Sequence, residues 1–197
     1  MDWQLGMLSG FAFAVFYVIM GIPIARIADK GSRRNVISFS LALWSVMTAL
    51  CGFVGSFWQL LLARIGVGVG EAGCSPPAHS IISDMFPVQQ RATALSTYNM
   101  GINFGVLIGF LAGGWINEYL GWRQAFIFVG IPGVLFAVFV RLTLKEPPRG
   151  MSEVKPVSTD APDLSDVFKL LWNRVSFRHM AMAAGLHAFV SYGVGGW

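Results

Sequence analysis

The sequence predicts an all-α, polytopic membrane protein in which a bundle of helices crosses the bilayer. Of the 197 residues, 55% are hydrophobic and only 12% are charged, whereas a soluble domain carries about 25% charged residues. The charges are clustered, and the apolar runs between them reach the length of about 20 residues that a helix needs to cross the hydrocarbon core. These runs are continuous and lack the alternation that is typical of membrane-spanning strands.

The first predicted span covers residues 5–25 and the second covers residues 36–55. Small residues recur at every fourth position early in the first span, a pattern that lets another helix approach closely. Tyr17 lies near the middle of that span, where it either lines a cavity or packs in the ordinary way. Between the two spans lies the basic sequence RIADKGSRR, whose single acid is Asp29. We expect Asp29 to pair with Arg33 or with a nearby helix N-terminus, so that this loop latches one conformation.

The third predicted span, residues 57–85, contains two opposite charges, Arg64 and Glu71. They are seven residues apart, so two helical turns place them on nearly the same face, roughly 10 Å apart along the axis. An ionisable group at membrane depth costs a few kcal/mol and by default faces a cavity or a partner. Prolines at 76 and 77 remove two backbone donors just below Glu71. We therefore interpret this span as the working helix of a transporter; the alternative is a static Arg64–Glu71 tie within the bundle.

Other polar side chains in the spans are fewer and less specific. His79 lies two turns below Glu71 and is either a structural hydrogen-bonding group or a proton relay. The fourth predicted span, residues 92–114, has glycines at every fourth position from 101 to 113, which form a close-packing face. Asn99 and Asn103 lie about 40 to 160° around the helix from that face. They either line the cavity or bond to a neighbouring helix.

The composition changes after the fifth predicted span, residues 125–144. We divide the chain into a half-bundle of five spans (1–144), a cytoplasmic linker with a short amphipathic helix (145–174) and the start of a second half (175–197). Lysine and arginine are concentrated in the loops 26–34, 84–91 and 141–178, which the positive-inside rule places in the cytoplasm. The first span then runs inward, so we expect one span before Met1 and further helices after Trp197.

Three motifs resemble the major facilitator superfamily. DKGSRR at 29–34 is similar to its cytoplasmic motif D-R-x-G-R-K/R, although Lys30 and Ser32 depart from the pattern. RIGVGVG at 64–70 resembles the motif of its fourth helix, and GWRQAF at 121–126 resembles the start of its sixth. The resemblance implies a major-facilitator-type bundle with helices 2–6 and the start of helix 7 present and helix 1 missing. It also implies a conformational latch, formed here by Asp29, Lys30, Arg33 and Arg34.

A narrower resemblance is to the spinster-like branch, which includes bacterial lipid-transporter relatives. It rests on GEA at 70–72, PPA at 76–78 and IISDMFP at 81–87. The resemblance implies that Glu71 is the proton-coupling acid, with Arg64 beside it. The branch also uses charged residues of helix one, which this chain lacks. Phe110 stands where the antiporter signature G-P-x-x-G-G has its proline, which argues against a typical drug antiporter.

The sequence therefore predicts a proton-coupled secondary transporter that works by alternating access on an amphipathic or anionic small molecule or a lysolipid. A non-transporting receptor or regulatory pseudo-transporter is the alternative. We expect no enzymatic activity and no cofactor, because the sequence has no spaced nucleophile–base pair or metal cluster; Cys51 and Cys74 are interpreted as packing residues. The expected partners are the bilayer and the substrate, without nucleic acid. We expect a monomer in a bacterial inner membrane.

Overall fold

The computed structural model describes residues 12–152 and 164–195, with side chains for 12–152 and 165–190, and the regular structure within these ranges is helical. The predicted all-α fold is confirmed. The helices are, in chain order, α1 (Ala12–Lys30), α2 (Arg33–Cys51), α3 (Phe57–Glu71), α4 (Ser75–Met85), α5 (Val88–Leu120), α6 (Trp122–Thr143), α7 (Leu164–Asn173) and α8 (Val175–Gly195).

Four of these helices, α1, α2, α5 and α6, are long and apolar enough to cross a membrane. The helices α3 and α4 are shorter, but they follow each other with a break of three residues. Together they rise about 39 Å at 1.5 Å per residue, which exceeds the hydrocarbon thickness of about 30 Å. The third predicted span is thus a broken helix, and its two consecutive pieces are together long enough to cross.

The break between α3 and α4 has a local cause in the sequence. Pro76 and Pro77 occupy the first turn of α4, where the absence of a backbone N–H costs nothing to α4 but removes two donors to the preceding turn. The chain responds by tightening: Gly73 N donates to Gly70 O at 3.2 Å, and Cys74 N donates to Glu71 O at 3.2 Å. These bonds span three residues instead of four, so Glu71 lies at the edge of a 3₁₀-like turn.

Several helix ends differ from the predicted ones. The first helix continues past Pro23 to Lys30, so that Asp29 and Lys30 lie on its last turn and the loop shrinks to two residues. The helix α5 corresponds to the fourth predicted span, residues 92–114, and extends beyond it at both ends, from Val88 to Leu120. Hydropathy marks where the membrane ends, whereas backbone hydrogen bonds carry a helix on into water. The beginning of the first predicted span lies outside the described residues.

The second helix is the centre of the bundle, with α3 and α6 packed against it and α1 packed on α3. Glycines permit these close approaches. A Cβ at Gly70 of α3 would lie 2.7 Å from the backbone N of Trp44, and one at Gly130 of α6 would lie 2.5 Å from the backbone N of Ala49. The glycine stripe of α5 differs, because a Cβ at any of its four positions would meet nothing within 4 Å in the described part of the chain.

Two compact units divide the chain, residues 1–157 and residues 158–197. In the first unit, the end of α1, the start of α2, the end of α4 and the residues after α6 meet at one end of the bundle. The opposite end carries the α2–α3 and α5–α6 turns, which meet where Arg123 donates to Val54 O at 3.3 Å. In the second unit, the predicted amphipathic helix is present as α7, with Phe168 and Trp172 stacked on one face.

Candidate functional site

The two charges of the broken span lie on α3 in different surroundings. Glu71 is the last residue of α3 and is exposed within the described residues, whereas Arg64 is half-buried. The guanidinium carbon of Arg64 lies 5.5 Å from the centre of the Phe13 ring on α1, a cation–π contact. Arg64 is also close enough to act electrostatically on Glu71. A carboxyl group with an accessible face and a cation on the same helix is therefore placed beside the helix break.

Aromatic side chains connect this pair to the neighbouring helices. Tyr17 stacks on Phe13, with ring centres 5.9 Å apart, so it belongs to the same group as Arg64. On the other side of the break, the His79 ring meets the Tyr98 ring edge to face at 5.4 Å. The Tyr98 hydroxyl is hydrogen-bonded to the side chain of Ser75, at the start of α4. Residues from α1, α3, α4 and α5 thus form one polar and aromatic wall around the break.

The structure brings two of the four predicted cavity residues to this wall. Tyr17 and His79 belong to it through their ring contacts. Asn99 and Asn103 are exposed and lie on a face of α5 about 100 to 140° around the helix from Tyr98. A shallow groove of about 380 Å³ between α4 and α5 contains none of the predicted site residues; it is lined by Ile82, Phe86, Gln90, Thr93, Ala94 and Thr97.

Sequence reasoning missed Phe13 and Tyr98 as members of the wall. A phenylalanine in an apolar span has no local signal that separates a cation–π partner from an ordinary packing residue. Tyr98 had a weak signal, since a hydroxyl within a span must find a hydrogen-bond partner. Its partner, Ser75, is on another helix and can be identified only from the fold.

Arg33 forms the centre of a second cluster, at the basic end of the bundle. It is the first residue of α2, and only 1% of its side chain is exposed. Its guanidinium forms ion pairs with Asp84 and Glu146, and it donates to Ser80 Oγ at 3.0 Å and to Pro147 O at 2.8 Å. Each of the three guanidinium nitrogens therefore has an acceptor.

Glu146 follows α6 and approaches the N-terminus of α2. It accepts a hydrogen bond from the Ser32 hydroxyl and one of 2.8 Å from the backbone N–H of Arg33. Partial burial opposes the charged form, but the bonds from the Ser32 hydroxyl, from the backbone N–H groups of Arg33 and Arg34 and from the Arg33 side chain outweigh it. They hold the pKa of Glu146 below its ordinary value.

The four residues of the predicted latch are not equivalent in the structure. Arg33 is buried, whereas Asp29 and Lys30 are exposed on the last turn of α1 and Arg34 is half-buried. The acids that the structure sets against Arg33 are Asp84 and Glu146. One of the two predicted alternatives paired Asp29 with Arg33, because it is the single acid of that loop; the other placed it at a helix N-terminus. In the fold, Asp84 and Glu146 approach from α4 and from the residues after α6.

Comparison with known proteins gives the same family throughout. A family model described as Major Facilitator Superfamily matches residues 4–197. An MFS-type efflux pump of Mycolicibacterium smegmatis is 39% identical over 143 residues, which are 73% of this chain and 33% of the relative. Protein spinster homolog 1 of Bos taurus is 34% identical over 80% of this chain and 30% of its own length. The probable sphingolipid transporter spinster homolog 1 of Arabidopsis thaliana is 32% identical over 83% of this chain and 33% of its own length. This chain therefore spans about a third of these relatives.

Two solved structures are similar in fold as well as in sequence. Both are crystal structures of a bacterial homologue of the human lysosomal transporter Spinster in inward-facing conformations. The unoccupied one is 38% identical, with a TM-score of 0.74, over 98% of this chain and 46% of that one. The occupied one is 43% identical, with a TM-score of 0.65, over 78% of this chain and 39% of that one.

Proposed function

The chain belongs to the major facilitator superfamily, and from that premise we propose that the protein is a proton-coupled secondary transporter that works by alternating access. It is a multi-pass integral membrane protein, and its relatives indicate no catalytic function. The observation that carries the proposal is the exposed residue Glu71 at the break between α3 and α4, with Arg64 on the same helix.

This arrangement suits a group that changes protonation during transport. A carboxyl group at membrane depth resists ionisation, and a nearby guanidinium favours it. If the aqueous cavity opens to one side and then to the other, Glu71 takes up a proton on one side and releases it on the other. A static Arg64–Glu71 tie is the structural alternative. It is less favoured because a purely structural ion pair gains most when its carboxylate is enclosed and fully hydrogen-bonded, whereas Glu71 is exposed within the described residues.

The proposed substrate is an amphipathic anion or a lysolipid. The wall around Glu71 combines aromatic faces from Phe13, Tyr17 and Tyr98 with one cation, Arg64. Such a wall can hold an apolar chain on the rings and an anionic group at the guanidinium. One relative, the probable sphingolipid transporter of Arabidopsis thaliana, supports a lipid substrate by name. The proposed location is a bacterial inner membrane.

The test is transport by the full-length protein in proteoliposomes with an imposed proton gradient, with a radiolabelled lysophospholipid and an amphipathic organic anion as probes. Glu71→Gln removes the titratable proton and keeps the size of the side chain. We expect loss of gradient-driven uptake, while exchange of substrate across the membrane without a gradient continues. Glu118→Gln, which changes an exposed acid far along α5, should transport like the wild type.

Two outcomes would count against the proposal in different ways. Unchanged gradient-driven uptake in Glu71→Gln would remove the coupling role of that residue. No gradient-dependent flux of either probe in the wild type, together with saturable binding of one of them, would favour the non-transporting receptor or regulatory pseudo-transporter.

A further inference from the structure

We infer that residues 144–152, named here the strap, fasten the ends of α1, α2 and α4 into one rigid unit, and that Arg149 is a positioning residue for transport. The inference rests on the proposed function. The strap has no regular secondary structure, yet it contacts the turn between α1 and α2, which is more than 110 residues away in sequence. Its composition alone predicts a hydrophilic linker, but its contacts are those of a structural element.

The first contact of the strap provides a hydrogen-bond acceptor and a negative charge at the N-terminus of α2. The first turn of that helix has no acidic residue and carries Arg33 and Arg34, which the positive end of a helix dipole disfavours. Glu146 supplies the missing negative charge from outside the helix. It accepts bonds from the Ser32 hydroxyl and from the Arg33 backbone N–H, while Ser32 Oγ also accepts from Asn35 N at 3.3 Å. The N-terminal cap of α2 is thus completed by the strap.

The second contact provides a hydrogen-bond donor for carbonyl groups at the C-terminus of α1. The last carbonyls of a helix have no partner within it. Here the Gly31 N–H donates to Ile27 O. Arg149 Nη2 donates to Ala28 O at 2.8 Å and to Gly31 O at 2.9 Å. The cation also lies at the negative end of the α1 dipole. One acid and one base, three residues apart, therefore match the two opposite helix ends that face each other at the α1–α2 turn.

The third contact reaches α4. Gly150 has φ of +69°, a conformation that favours glycine, and its N–H donates to Asp84 Oδ1 at 3.0 Å. Ser152 Oγ donates to Asp84 O at 2.5 Å. Asp84 is also an ion-pair partner of Arg33. The strap and Arg33 thus hold the two sides of the same carboxylate, and the lower half of the broken span is tied to the rest of the bundle.

A functional consequence follows from how these bonds are distributed. All three guanidinium nitrogens of Arg33 have acceptors on its own side of the molecule, so Arg33 acts as an internal brace. Asp29 and Lys30 are the exposed members of the predicted latch. The strap fixes the end of α1, which carries both residues, and we expect Arg149 to act on transport through that end.

The test is hydrogen–deuterium exchange of the full-length protein in lipid nanodiscs, read at residues 28–34 and 144–152. Arg149→Gln removes the charge and the fork of donors. We expect exchange in both segments to accelerate about three- to tenfold, the change that loss of one helix-end cap produces. Arg149→Lys keeps a charge and a donor and should restore most of the protection. Arg141→Gln, at an exposed arginine of α6, is the matched control and should leave both segments unchanged.

A transport measurement separates the strap from the proposed function. We expect Arg149→Gln to lower the maximal rate of uptake with little change in apparent substrate affinity, because the strap positions the latch and does not touch the substrate. Two results would contradict the claim that the strap fastens the helix ends: exchange within twofold of wild type in Arg149→Gln, or equal acceleration in Arg141→Gln. Faster exchange with an unchanged transport rate would overturn its role in transport. If the wild type transports neither probe, the proposed function is contradicted. The exchange result would still show whether the strap fastens the helix ends. If Arg149→Gln does not fold, Glu146→Gln tests the strap at its other contact with the α1–α2 turn: exchange at residues 32–34 should accelerate, and exchange within twofold of wild type would contradict the role of the strap.

Discussion

Arg33 and Arg64 carry the same guanidinium group in two environments that predict different roles. Arg33 is 1% exposed and is surrounded by carboxylates and carbonyls from two other segments, so its charge is balanced in place. Arg64 is half-buried over a phenyl ring and acts on an exposed carboxyl group. Removing either partner of a buried pair is costly, because the other charge is left uncompensated. Arg33 is therefore expected to be a stability residue, whereas the surroundings of the Arg64–Glu71 pair are those that the proposed coupling role requires.

The lowered pKa of Glu146 gives a pH prediction at the scale of one residue. Because the folded state depresses the pKa, the stabilisation is present in full above the ordinary value of 4.5 and is lost as the pH falls through the lowered value. In the full-length protein in detergent, Glu146→Gln should lower the free energy of unfolding by about 1.5 to 3 kcal/mol at neutral pH, the usual range for hydrogen bonds to a charged group. The difference between the melting temperatures of the two proteins should narrow below pH 4.5.

Glu118→Gln provides the matched control for this pH series, since Glu118 is an exposed acid on α5. It should melt like the wild type at every pH. A gap between wild type and Glu146→Gln that stays constant from neutral pH to pH 3.5 would contradict the assignment, because the contribution of Glu146 would then not depend on its charge.

At the scale of the helices, glycine position matters more than glycine content. The glycines of α3 face α1 and α2 at distances that leave no room for a methyl group, whereas those of α5 face open space in the described residues. The glycines of α3 are two residues apart and point to two faces, whereas those of α5 are four residues apart on one face, which is the pattern usually associated with a helix interface. Packing partners, and not spacing alone, decide which stripe forms a helix interface.

The comparison of Gly70→Ala with Gly21→Ala tests whether packing partners decide which glycines lie in a helix interface. A Cβ at Gly70 would lie 2.7 Å from the backbone of Trp44, so α2 and α3 must separate; we expect a loss of about 1 to 3 kcal/mol. Gly21 lies within α1 with nothing within 4 Å of a Cβ, so alanine there should be neutral or stabilise by up to about 1 kcal/mol through helix propensity. Thermal unfolding of the full-length variants measures both. Equal melting temperatures for the two would contradict the close contact at Gly70.

At the scale of the whole molecule, the sequence predicted the helices and their order but not the contacts between distant segments. Apolar length is a local property, so the spans could be identified one by one. The third was predicted as one continuous span, and its break became visible only in the fold. The strap could not be identified from a local property either. A segment rich in proline and charge has the same composition whether or not it is bound to the helix ends. Glu146 and Arg149 gain their partners only because α6 returns the chain to the α1–α2 turn.

The last prediction concerns the sidedness of the whole bundle. The structure places Lys30, Gln89 and Lys145 on segments that lead to the basic end, and it places Ser56 in the turn at the other end. The positive-inside rule then puts the basic end in the cytoplasm. Single cysteines at these positions, in full-length protein that lacks Cys51 and Cys74, can be probed in intact cells with a membrane-impermeant maleimide. We expect labelling at position 56 alone until the cells are permeabilised, after which positions 30, 89 and 145 should also react. Labelling of position 30 or 145 in intact cells would invert the bundle. It would also place the strap outside the cell, where it could not act on the cytoplasmic side of the transport cycle.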